Sequence, residues 1–167
     1  SIEEYSIDLI SLSLEERDNC ILEILKVLDD NNIIKAGRKR QNDWYKGWDE
    51  NFKNYCESNN PEDLIPKYYN KYPYLRFDSE LYKIKNPKAE LNSVRILINY
   101  ITDVYLRNFN QIIELGAGTC HHILEISKNL KSNPTFFALD WSETTTSIAK
   151  KLKLNNHINS IYSFKFD

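Results

Sequence analysis

The chain has 167 residues, 41% of them hydrophobic and 28% charged, with a formal net charge of −2. That amount of apolar material predicts one compact domain, or part of one with a small accessory element, and excludes wholesale disorder. No apolar run reaches the roughly 18 residues of a membrane helix, no signal-like stretch opens the sequence, and the near-neutral charge is wrong for a general nucleic-acid binder.

Residues 1–34 hold nine acids and two bases, a net of −7 that leaves +5 on the rest, which predicts a solvated acidic helix. Ser13-Leu-Glu-Glu16 has the form of a capping box. The helix that follows carries Ile21, Ile24, Leu25 and Leu28 at helical spacing, and Asp29 to Asn32 ends it. The basic run Lys35 to Arg40 reads as an exposed turn, and a second helix is expected over about 40–57. Asn60-Pro61 reads as an N-cap with proline at the first helical position of a short helix.

Eleven aromatic residues fall between Trp44 and Tyr82, in a stretch broken by Pro66 and Pro73, with Pro87 just beyond. Loops and short helices are expected there. The rings either pack a helical layer onto the main domain or form a lid whose rings and hydroxyls line a pocket for a small polar substrate.

A long amphipathic helix is predicted over about 88–107, with Leu91, Val94, Leu97, Ile98, Ile101 and Tyr105 on one face. Beyond it the pattern predicts a strand at Gln111–Leu115, a glycine turn, a helix at Cys120–Leu130, a strand at Thr135–Leu139, a helix at Ser142–Leu154 and a strand at Ile161–Phe166. That β-α-β-α-β order implies parallel strands with right-handed crossovers. The expected fold class is therefore α/β. A Rossmann-like parallel sheet occupies 88–167, and a helical, aromatic-rich extension occupies 1–87.

Two of the four glycines, Gly116 and Gly118, directly follow the first of these strands, where the chain must turn sharply and let a ligand approach its backbone. Asp140 ends the second strand, the place from which an acid takes both hydroxyls of a ribose. A dinucleotide site asks for a third glycine, and that position is His121. Glu114 at the end of the first strand repels phosphate and suits an ammonium group.

The stretch from Ile112 to Lys151 resembles the cofactor half of class I S-adenosylmethionine-dependent methyltransferases. Glu114-Leu-Gly116-Ala-Gly118-Thr-Cys120 is similar to their first motif, with Cys120 where the family has a third glycine. The resemblance implies S-adenosylmethionine as cofactor, with Gly116, Ala117, Gly118 and Thr119 packed against its methionine part and Glu114 holding its amino group. It implies Asp140 on the ribose, Trp141 against adenine and Asp167 reaching the adenine amine. A complete domain of the family has seven strands in the order 3-2-1-4-5-7-6. Strand one would here be an open apolar edge at Ile112 and Ile113, so a C-terminal segment, a partner chain or a homo-oligomer is expected to cover it. The segments Trp44 to Trp48, Asn51-Phe52 and Leu64 to Tyr68 more faintly resemble bacterial methyltransferases with a helical N-terminal extension, which implies a sugar or nucleotide-sugar acceptor.

Other chemistries fit less well. Adjacent His121 and His122 point about 100° apart on a helix, which disfavours a shared metal ion, and Glu125 offers at most a two-ligand pair. Cys120 as a nucleophile would need a base and an oxyanion site. With only Cys20, Cys56 and Cys120, no disulfide scaffold or CxxC metal site is expected, and a reducing cytoplasmic setting follows. No catalytic residue is assigned. A scaffold module that keeps the cofactor-like turn without its chemistry is the alternative, and a nicotinamide oxidoreductase a weaker third.

Overall fold

Ser13 opens the first helix as its sequence predicts: its hydroxyl accepts from the Glu16 amide at 3.2 Å, and Glu16 accepts from the Ser13 amide at 2.9 Å. In the computed structural model, which describes residues 5–29, 38–69 and 71–166, a short strand β1 (Leu9–Ser11) precedes this helix, α1 (Leu14–Asp29). α2 spans Arg38–Ser58, and of the basic run only its last three residues are described, as the start of this helix. Asn60 then caps a 3-10 turn at Pro61–Leu64, accepting from the Glu62 amide at 3.1 Å.

The aromatic segment is not all loop and helix. β2 (Tyr74–Phe77) and β3 (Glu80–Ile84) form a hairpin, and β1 completes an antiparallel sheet in the order β1-β3-β2. The hairpin turns on Asp78 and Ser79, both at positive φ, so it has the I′ form without the glycine by which such turns are usually recognised. The reading of this region as helical is corrected to that extent.

The predicted long helix is α3 (Ala89–Ile101), continued by a π-helical turn over Thr102–Leu106. Leu91 and Ile98 are buried, but Leu97 and Tyr105 of the expected inner face are exposed; at Tyr105 the π turn has shifted the helical phase. The α1 stripe is also corrected: Ile21, Ile24, Leu25 and Leu28 are all exposed, and Cys20 is buried instead.

From there the order is as expected: β4 (Gln111–Leu115), α4 (His121–Asn129), β5 (Thr135–Asp140), α5 (Glu143–Leu154) and β6 (Ile161–Lys165). The three strands are parallel, in the order β4-β5-β6, with Glu114 beside Ala138 and Asp140 beside Lys165. The described residues are thus α/β, with five α-helices and a three-stranded parallel sheet, compatible with a Rossmann-like arrangement.

Alternation decides which residues make the core. Ile112, Phe136, Ala138 and Ile161 project to one face and meet Ile123, Leu124, Ile148, Ala149 and Leu152 of α4 and α5. Each large side chain so buried contributes about 1.5–3 kcal/mol. α2 adds fully buried Tyr55 to this core, and Asn155 after α5 donates to its hydroxyl at 3.1 Å. The other face of the sheet is uncovered among the described residues, with Ile113, Leu115, Tyr162 and Phe164 exposed. Among the described residues β4 is an edge strand, paired with β5 alone. No helix of the described chain is long and apolar enough to cross a membrane.

Candidate functional site

The turn after β4 is built from backbone that glycine tolerates. Gly116 and Gly118 sit at φ +71° and +49°, and the Gly116 and Ala117 amides both donate to the Leu139 carbonyl, at 2.8 and 3.1 Å. Cys120, in the third glycine position, also lies in the left-handed region at φ +59° and is fully buried. The local conformation is therefore one that a glycine would adopt freely, held here by a packed side chain. Burial pushes the Cys120 thiol well above its ordinary range, aided by the charges of Glu114 and Asp140, so it is not an activated nucleophile.

Asp140, at the C-terminal end of β5, is 2% exposed. One of its carboxylate oxygens accepts from the Gly118 amide and the other from the Ser142 amide, both at 2.8 Å. Each oxygen keeps a second lone pair. Thr145 of α5 donates to the Gly118 carbonyl at 2.7 Å, so the turn is clamped from both sides.

Glu114 is the other acid of the site. Its Oε1 accepts from His122 Nδ1 at 2.8 Å, and its Oε2 is buried without a hydrogen-bond partner. Burial raises its pKa, with Asp140 adding to that, against the pull of the His122 hydrogen bond. An acidic oxygen left in this state is the complement of a ligand cation.

Sequence reasoning missed what the two histidines do. Both Nε2 atoms converge on the Tyr69 hydroxyl, at 3.0 Å from His121 and 3.2 Å from His122. The ring centroids of the two histidines are 3.9 Å apart, so the divergence expected of helix neighbours is overcome at this first turn after Cys120. Thr119 Oγ1 lies 3.3 Å from His121 Nδ1. One consistent assignment of protons runs the length of the chain. Thr119 donates to His121, His121 to Tyr69, Tyr69 to His122, and His122 to the Glu114 carboxylate. Burial pushes His121 down to about 3, with the charges of His122 and Arg95 adding to that, so it is neutral. Burial also pushes the Tyr69 hydroxyl up, which keeps it a donor. A carboxylate orienting an imidazole in this way is the form of a general base. The signal in the sequence was the His-His pair at the helix start; its partner Tyr69 lies in a distant loop.

α2 lies across the turn. The Trp48 indole rests on Gly118, where an added Cβ would meet it at 3.2 Å. Trp141 packs on Trp48 with centroids 5.3 Å apart and on Tyr45 at 4.3 Å. Glu114, Gly116, Ala117, Gly118, Thr119, Asp140 and Trp141 are thus gathered at the C-terminal ends of β4 and β5, though Ala117 and Thr119 are buried within the turn. Asp167 lies outside the described residues.

Glu125 does not pair with His121. It is buried in a cluster with Arg95 at 3.2 Å and Lys128 at 2.9 Å, and Arg95 also pairs with Glu62 at 2.9 Å. This cluster ties α3, α4 and the 3-10 turn together. Among the described residues no group of three or more His, Cys, Asp or Glu is placed to hold a metal ion. No protein-family model, no curated protein and no solved structure matches this chain.

Proposed function

We propose that this chain is the S-adenosylmethionine-binding part of a methyltransferase acting on a small polar molecule, a sugar or nucleotide-sugar being the acceptor its N-terminal half suggests. The single observation that carries the reading is Glu114 Oε2, a buried and unpartnered carboxylate oxygen beside a turn with two positive-φ glycines. That oxygen fits the ammonium of the cofactor's methionine part. The free lone pairs of Asp140 suit the two ribose hydroxyls, and Trp141 offers a ring for the adenine. When bound, the cofactor supplies a methyl group on a sulfonium. The protein's part is alignment of the acceptor and exclusion of water. Trp48 and Tyr45, packed over Trp141 and the turn, serve that exclusion. Their α2 forms part of a lid in this reading.

A second reading, a non-catalytic scaffold that retains the turn, is favoured by one observation: Trp48 already occupies the surface of Gly118. Calorimetric titration with S-adenosylhomocysteine separates the two. Micromolar binding, weakened about tenfold or more in Glu114→Gln through loss of the charged hydrogen bond, is the expected outcome. A folded chain that takes up no ligand would favour the scaffold.

A further inference from the structure

Gly47 sits in the interior of α2, where a glycine costs helix stability through its freedom in the unfolded chain. The structure gives it no conformational reason. Gly47 is not at positive φ, and a Cβ built on it meets nothing within 4 Å. What its missing side chain does is lower the floor of a cavity of about 580 Å³, lined also by Trp44, Trp48, Tyr68 and Lys71.

The walls of this cavity select a class of ligand. Trp44 meets Trp48 edge to face, with centroids 5.5 Å apart and planes at 83°, and Tyr68 is 6.4 Å from Trp44. Rings in mutual contact leave between them no aromatic box of the kind that encloses an ammonium group. Trp44 and Tyr68, each nearly half exposed, offer instead surface on which a flat ring, or the C–H face of a sugar, can stack, with buried Trp48 contributing only an edge of the wall. The charges at the rim are Asp43, Lys67 and Lys71. Lys67 is held by Glu50, whereas Lys71 Nζ lies over the Tyr72 ring at 5.5 Å and, among the described residues, has no carboxylate within ion-pair distance.

We propose that this cavity binds a small molecule built as a ring carrying a phosphate-type anion. The ring lies on Gly47 and against Trp44, Trp48 and Tyr68, and the anion meets Lys71. Trp48 has its other side on Gly118, so this ligand and the glycine turn share a wall. As the seat of a methyl acceptor the site rests on the methyltransferase reading; as a binding site it stands on these residues alone.

The test is calorimetry without any cofactor, using glucose 1-phosphate and uridine 5′-monophosphate as probes against glucose, inorganic phosphate and choline. Tryptophan emission locates the event, since all three tryptophans of the chain form one contiguous cluster. A phosphorylated ring is expected to bind about tenfold or more tightly than either of its halves. Stronger binding of the sugar or of the nucleotide identifies the ring. Gly47→Ala is expected to weaken that binding about tenfold while raising the melting temperature by about 2–5 °C, a pairing that a purely structural glycine would not show. Lys71→Gln, at an exposed position, is expected to weaken the phosphorylated probes and leave glucose unchanged. Tighter binding of choline, silence from both phosphorylated rings, or full affinity in Gly47→Ala would each overturn the proposal. Probe binding by a chain that ignores S-adenosylhomocysteine would support the site and remove the methyl-acceptor role.

Discussion

Cys120 carries a conflict between backbone and side chain. Its φ of +59° costs an L-residue about 1–2 kcal/mol, and its full burial in the core offsets part of that. Its neighbour His121 carries a conflict between proton and solvent. In the unfolded chain it titrates near the usual 6.5, and in the fold burial holds it neutral down to about 3. A lowered pKa of this kind contributes stability that is complete above pH 6.5 and lost as the pH falls toward 3, because only the unfolded state gains the proton. His121→Gln removes the titration. Urea unfolding of the two proteins should therefore diverge on acidification, with wild type losing roughly 2 kcal/mol more than the variant by about pH 5. Parallel curves from pH 7 to pH 4 would contradict the buried neutral state.

Elements here are joined by a few polar ties as much as by the core. Asn51 of α2 is 3% exposed and donates to the Asp63 and Ile65 carbonyls at 2.6 and 2.9 Å, which fixes the 3-10 turn against the helix. Asn51→Ala leaves both carbonyls without that donor. A loss of about 2–3 kcal/mol in chemical denaturation is expected, with the far-UV spectrum unchanged. An effect below about 0.5 kcal/mol would mean that water replaces the amide at no cost. The helices and parallel strands were legible in the sequence because period and capping are local: the Ser13 box, the Asn60-Pro61 start and the Gly116 turn all appear where expected. The hairpin was not, since Asp78 and Ser79 adopt a turn usually marked by glycine. Nor was the exposure of the α1 stripe, because periodicity says which residues share a face and not what covers it.

For the molecule as a whole, the parallel sheet is covered on one face only among the described residues. On the other, Ile113, Leu115, Tyr162 and Phe164 are exposed beside Phe137 and Leu139, and none of the six is charged. Parallel sheets are normally buried on both faces, and a patch of this kind beside an open edge strand favours association. The chain is expected to self-associate as its concentration rises. Ile113→Lys should suppress this in sedimentation velocity while leaving the unfolding free energy within about 0.5 kcal/mol of wild type, since Ile113 is 62% exposed. A monomeric wild type at high concentration would show the face to be harmless.

The amino-acid sequence by itself determined the β-α-β-α-β order, the sharp turn at Gly116 and Gly118, and the acids at the ends of two strands. Each of these depends on residues near one another along the chain, through side-chain period, turn stereochemistry and capping. Tertiary structure alone decided that Trp48 rests on Gly118, that Glu114 keeps one oxygen unpartnered, and that His121 and His122 meet at Tyr69. These contacts join α2, the loop after it and the parallel sheet, so they exist only once packing has set how those elements lie against one another. Close packing then leaves a given indole or imidazole few places to go.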